Sequence, residues 1–316
     1  MGYEKNPAET IALTAIPRTV STRWLLYSSW IAASLIVFLR PLGAVIHLAA
    51  HNDDDSYIFL VPLISAGVVC LDRRTIFRCT SYDFPGAAFL TLAAGGISAA
   101  ALLLHSSWST SQSLSAYMLS LVLFWIAGFQ LFFGKNATRA ARFSLLLLLL
   151  AVPLPDFILH PAVYFLQRGS AEMVALLLDL TGVSYLREGF IFQFGHLSIE
   201  IAEECSGIRS SMAVLILALL AAHFYLRSFW KQVLFVLSSL LVMIVKNGVR
   251  IATLTILALY VNPSFLFGRL HHEGGVVFFV LGLLLLVPIL WILGRSKASG
   301  TESVNESRDE TPLKIR

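Results

Sequence analysis

Only 13% of the 316 residues are charged, against 57% hydrophobic, and that balance excludes an ordinary soluble domain. Cysteine is scarce too. Cys70 and Cys79 lie near one predicted loop and Cys205 lies far from both, which makes neither a disulfide framework nor a zinc-ligand pattern. Cys205 is therefore expected to be a free thiol. His47, His51, His160 and His196 follow no metal-ligand spacing, so neither a metal nor any other cofactor is expected. A dense basic patch is also missing. The net charge of +4 comes from short groups beside apolar runs, where it sets membrane orientation and gives no reason to expect a nucleic-acid partner. No small-residue cleavage site follows the apolar run from Trp24, so the first span reads as a retained anchor and not as a removed signal peptide.

What the chain does have is a series of runs near the ~20 apolar residues that a helix needs to cross a bilayer. Eight are expected, at about 24–40, 57–71, 86–104, 114–133, 143–159, 207–226, 232–260 and 275–293. The expected fold is an all-α polytopic membrane bundle over 24–293, with a cytoplasmic segment at 1–23 and a disordered cytoplasmic tail at 294–316. Arg18 and Arg23 precede the first span, Asp72-Arg73-Arg74 follows the second, and Lys135, Arg139 and Arg142 follow the fourth, while the intervening loops carry no Lys or Arg. By the positive-inside rule both termini are cytoplasmic. The fifth run should stop at Pro153-Leu154-Pro155-Asp156. From His160 to Thr181, Gln167, Arg168, Glu172 and Asp179 mark an amphipathic helix at the outer interface, with a full crossing as the competing topology. The β-prone stretches Phe190 to Phe194 and Leu197 to Ile201 predict a small extracytoplasmic hairpin.

That hairpin delivers the chain to Glu203-Glu204-Cys205-Ser206-Gly207, where a polar segment enters the sixth span at its outer end. Arg250 lies roughly 25 Å along the seventh helix from its inner start, near the same boundary, and His271 and His272 precede the eighth span. Three distant stretches thus converge on one side of the membrane. A thiol attacks a carbonyl as thiolate, and an adjacent imidazole or a helix N-terminus lowers its pKa from about 8.5. His271 or His272 can serve as that imidazole. The guanidinium of Arg250 suits a developing oxyanion. Lys246 and Asn247 lie on nearly the same helix face as Arg250 and could line one polar cavity, Lys246 as a structural partner. Ser206 and Gly207 let substrate backbone approach, and Glu203 and Glu204 read as solvated residues facing the headgroups.

These residues resemble the exosortase/archaeosortase family of membrane cysteine transpeptidases. The resemblance rests on Cys205-Ser206-Gly207 opening a span, Asn247-Gly248-Val249-Arg250 within the next, and His271-His272-Glu273-Gly274-Gly275 starting the one after. Pro153-Leu154-Pro155 and the stretch from Tyr57 to Pro62 extend it from about 25 to 293. Matching its glycine to Gly275 selects His271 as the family histidine, with His272 as the shifted alternative. The resemblance implies catalytic Cys205, Arg250 and His271, and Asn247, Ser206, Gly207 and Glu204 are read as supporting residues. It also implies, as substrates, exported proteins whose C-terminal signal combines a Pro-Glu-Pro-like motif, a helix and a basic tail. An acyl-enzyme would form at the outer face of the inner membrane and pass to an unknown acceptor, amine or water. Two other classes compete with this reading. In a transporter, Lys246, Asn247 and Arg250 would line an anion pathway, and in a non-catalytic subunit of an exopolysaccharide export system Cys205 would be replaceable.

Overall fold

A computed structural model of the chain describes residues 18–51, 57–195, 197–202, 208–266 and 275–295. Helices dominate these residues, and the chain divides into two compact units, Met1–Asp156 and Phe157–Arg316.

The first unit opens with α1 (Arg18–Val37) and α2 (Leu39–His51), which meet at 75°. The first span was expected to end near residue 40. Instead the helix bends and continues through His51, because Pro41 has no N–H for the Val37 carbonyl, while Phe38 still donates to Ser34 O and Leu42 to Phe38 O, both at 2.9 Å. Next come α3 (Leu60–Leu71), the single turn α4 (Arg73–Ile76), α5 (Phe84–Leu103) and α6 (Thr110–Ala140). Asp83 caps α5 by accepting from Gly86 N–H at 3.2 Å, and it also accepts from Gln130 Nε2 at 2.8 Å. The Gln130 bond first, and the Gly86 bond second, hold its carboxyl below the ordinary aspartate range. Ser109 and Gln112 form a reciprocal capping box at the start of α6.

Near its end α6 breaks at Gly134, whose φ of 85° is left-handed. A break strands the carbonyls of the preceding turn. Here Asp83 N–H takes Leu131 O at 3.3 Å, Arg23 Nη1 takes Phe132 O at 3.3 Å and Ser81 N–H takes Phe133 O at 3.2 Å. Arg23, which the sequence marks only as an orientation signal, is thus part of the packing and also lies over the Tyr82 ring. Around this break Trp24, Tyr27, Phe77, Phe129 and Phe133 form one aromatic cluster. Finally α7 (Arg142–Leu147) and a 3₁₀ turn (Leu148–Ala151) stop just before Pro153.

The second unit is built on α8 (Asp156–Thr181), which starts at the unit boundary and runs past an internal proline, Pro161. Three short antiparallel strands follow: β1 (Leu186–Glu188), β2 (Ile191–Phe194) and β3 (Leu197–Glu200), in that order. Phe192 pairs with both Arg187 and Ile199. The β-prone stretches read from the sequence coincide with β2 and β3. The strand β1 carries no such signal and is fixed from outside, since Arg187 Nη1 and Nη2 donate to Glu172 Oε2 and Oε1 at 3.1 and 2.8 Å. Phe192, Phe194 and Ile201 bury against Ala171, Val174 and Leu178 of α8.

The unit closes with α9 (Ile208–Tyr225), α10 (Phe229–Tyr260) and α11 (Gly275–Arg295), packed around Val214, Ala218, Phe235, Val242 and Leu286. Lys231 near the start of α10 donates to Leu293 O near the end of α11 at 2.8 Å, so the two helices run antiparallel.

Among the described residues four helices, Phe84–Leu103, Thr110–Ala140, Phe229–Tyr260 and Gly275–Arg295, are long and apolar enough to cross a membrane. The number rises to six if α1 with α2, and Arg142–Ala151 with Asp156–Thr181, each count as one interrupted span. Their apolar residues are widely exposed, as Leu92, Leu103 and Val276 illustrate, which in water would be untenable and in lipid is expected.

Candidate active site

Of the residues singled out in the sequence, Asn247 and Arg250 are described. Glu203, Glu204, Cys205, Ser206, Gly207, His271 and His272 lie outside the described residues.

The stretch Lys246 to Ile251 of α10 is a polar layer inside an apolar bundle. Lys246 and Asn247 are both buried, and Arg250 is half-buried one turn further on. Burying an ammonium and an amide in a membrane helix is costly unless each finds partners. Asn247 Nδ2 donates to Ser170 Oγ on α8 at 2.9 Å, and Lys246 Nζ donates to Ser210 Oγ in the first turn of α9. Small residues allow the approach. A Cβ on Gly248 would lie 2.4 Å from Met173 Cγ, and one on Gly169 2.8 Å from Ile244 Cδ1, so α8 and α10 touch through glycine on both sides. A Cβ on Gly282 would stand 3.4 Å from Lys246 Cδ, which places α11 against the lysine stem. Lys246 thus ties α10 to the first turn of α9, with Ser210 as its acceptor.

A second polar contact joins this layer to the strands. Gln167 Nε2 donates to Ile201 O at 2.6 Å in a buried setting, and Ile251 packs on the cluster that contains Ile201. This corrects one reading. Gln167 was assigned, with Arg168, Glu172 and Asp179, to the polar face of an interfacial helix, but Gln167 is buried while the other three are exposed. Gln167 and Ser170 are three residues apart, hence on one face, and that face is the one turned toward the bundle. The sequence signal for both was this spacing within an apolar helix, which alone does not separate an inward from an outward polar face.

The chain on either side of residues 203–207 is therefore tied down. Ile201 is held by Gln167 and packs in the cluster that Ile251 joins, while Ser210 is held by Lys246. The antiparallel run of α11 brings its Gly275 end toward the Arg250 half of α10, since Leu293 matches Lys231 and Gly282 matches Lys246.

Such an arrangement defines a class, the helical membrane proteins that bury a polar layer between apolar helices. A family model described as transmembrane exosortase (Exosortase_EpsH) matches residues 46–288, which is most of the chain. The chain belongs to the transmembrane exosortase family and is an integral membrane protein. Comparison with curated proteins and with solved structures gave no match.

Proposed function

We propose that the protein is a membrane-embedded cysteine transpeptidase that cuts the C-terminal sorting signal of exported proteins at the outer face of the inner membrane. One observation carries this reading: of the described flanks of the Cys205 segment, Ser210 is bonded to Lys246 of α10, and Ile201 is bonded to Gln167 of α8, the helix whose Ser170 holds Asn247. Family membership supports the same chemistry.

In the proposed reaction the Cys205 thiolate attacks the carbonyl carbon of the scissile peptide. The oxyanion forms within reach of the Arg250 guanidinium, which is always charged and offers a fork of N–H donors. The C–N bond then breaks, the leaving amine takes a proton from His271, or from His272 in the shifted register, and the acyl group remains on sulfur as a thioester. An acceptor amine or water then attacks that thioester, gives its proton to the now neutral imidazole, and releases the thiolate. Asn247, through Ser170, holds the rotation of α10 about its axis and so sets the direction of Arg250. Ser206 and Gly207 admit the substrate backbone, and Glu204 borders the site.

The topology proposed with this reading has eight crossings, cytoplasmic termini and 24–293 as one functional domain. The four long helices, the two interrupted pairs and the two shorter apolar helices Tyr57–Leu71 and Ser210–Tyr225 supply the segments for it. The three strands then belong to the extracytoplasmic side, where a substrate's exported part meets its own anchor helix.

The test is Cys205→Ser in cells expressing an exported protein with a Pro-Glu-Pro-like motif, helix and basic tail. Processing should stop while the protein remains in the membrane at its usual level. Continued processing at the normal rate would sink the enzyme reading and leave that of a non-catalytic subunit.

A further inference from the structure

The first unit holds a cavity of about 840 Å³ in the corner made by the α1–α2 bend, the end of α5 and the start of α6. That is within the range of roughly 300–1,000 Å³ typical of sites for small organic ligands.

Its composition is not that of an empty gap between helices. Most of its wall is apolar, including Leu102, but Arg40, His105, Trp108 and Tyr117 line it as well, and among the described residues no acidic one does. Arg40 stands just past the bend, within the apolar run of the first two helices, and among the described residues it makes no ion pair. Arg40 is exposed and lines the cavity, so its charge is open to an anionic group bound there. A second feature is independent of Arg40. Ser113, also in the wall, is only 7% exposed, and among the described residues its hydroxyl has no hydrogen-bond partner. A buried hydroxyl in that state is a vacant donor and acceptor pointing to a polar ligand atom. Trp108 and Tyr117 have apolar bodies with one polar edge, the type that settles at headgroup depth.

We infer that this cavity is a binding site for an anionic phospholipid, with its phosphodiester on Arg40, a headgroup or ester oxygen within reach of Ser113, and acyl chain along the Leu102 wall. A soluble phosphate ester has no use for the apolar wall, and a zwitterionic lipid brings its own cation next to Arg40. Net negative charge together with a hydrocarbon tail is the combination that answers both halves of the site.

The full-length protein, purified in detergent, is titrated with phosphatidylglycerol and with phosphatidylcholine, and bound lipid is counted by native mass spectrometry. Phosphatidylglycerol should be retained preferentially. Arg40→Ala should weaken its binding about fivefold, the effect of one guanidinium on an anionic headgroup, whereas Arg142→Ala, an exposed cation of the same unit away from the cavity, should change nothing. Ala99→Trp, which places an indole in the wall, should displace the lipid with Arg40 intact. Glycerol 3-phosphate should not compete. Equal retention of the two lipids, equal effects of the two arginine variants, unchanged binding in Ala99→Trp, or displacement by glycerol 3-phosphate would each overturn the assignment.

Discussion

Arg250 and Asn247 share a helix face but differ in burial. Arg250 is half-buried at the end of the polar layer, whereas Asn247 is buried and its Nδ2 donates to Ser170 Oγ. Arg250→Lys keeps the charge and loses the fork. With an oxyanion role, kcat should fall by about 10²-fold with membrane expression unchanged, measured on a peptide spanning the cleavage motif. Asn247 and Ser170 should instead couple in stability. A double-mutant cycle of Asn247→Ala and Ser170→Ala, read by unfolding in a bicelle, should give a coupling of about 0.6 kcal/mol, the usual size for such bonds between membrane helices. Additive effects would show that the two helices are held by the glycine contacts alone.

Single elements here are shaped by where their backbone bonds are withheld. Beside Pro41 the chain bends by 75° and goes on as α2, and the opened corner becomes a cavity wall. Gly134 breaks α6, and three donors from two other segments fill the vacated carbonyls. At Gly134 an alanine meets two obstacles, the left-handed φ of 85° and Ser81 O at 2.7 Å from its Cβ. Gly134→Ala should therefore lower unfolding stability by about 1–2 kcal/mol or more, with the Ser81 to Asp83 segment losing amide protection from hydrogen exchange. Gly43→Ala, with nothing within 4 Å of its Cβ, is the matched control and should be neutral or slightly stabilising.

For the whole molecule, the chemistry depends on which side of the membrane each loop faces. Cys70 and Cys79 are both exposed free thiols next to the Asp72-Arg73-Arg74 and Arg78 group, on the side proposed to be cytoplasmic. An impermeant maleimide applied to intact spheroplasts should label Cys205 and spare Cys70 and Cys79, and inverted vesicles should reverse the pattern. Labelling of Cys205 only from the cytoplasmic side would overturn the topology and the reaction built on it.

Composition alone marked the chain as a membrane bundle, because a helix in lipid must be apolar over its length and must satisfy its own backbone; α5, α10 and α11 accordingly start and stop near the expected residues, while α6 runs on to Ala140. The break before Pro153 and the strands β2 and β3 were legible for similar local reasons, a missing N–H in one case and alternation in the other. Arg250 and Asn247 could be named from the sequence, since charge and amide stand out in an apolar run. Only the tertiary structure decided what they touch. Ser170, Gln167 and Ser210 became members of the polar layer, and Gln167 moved from an outer face to a buried one, because the direction of a helix face depends on the neighbours that pack on it and not on its own periodicity. The cavity at Arg40 belongs to that second category. A proline and an arginine in an apolar run do not announce a pocket until α5 and α6 close its far wall.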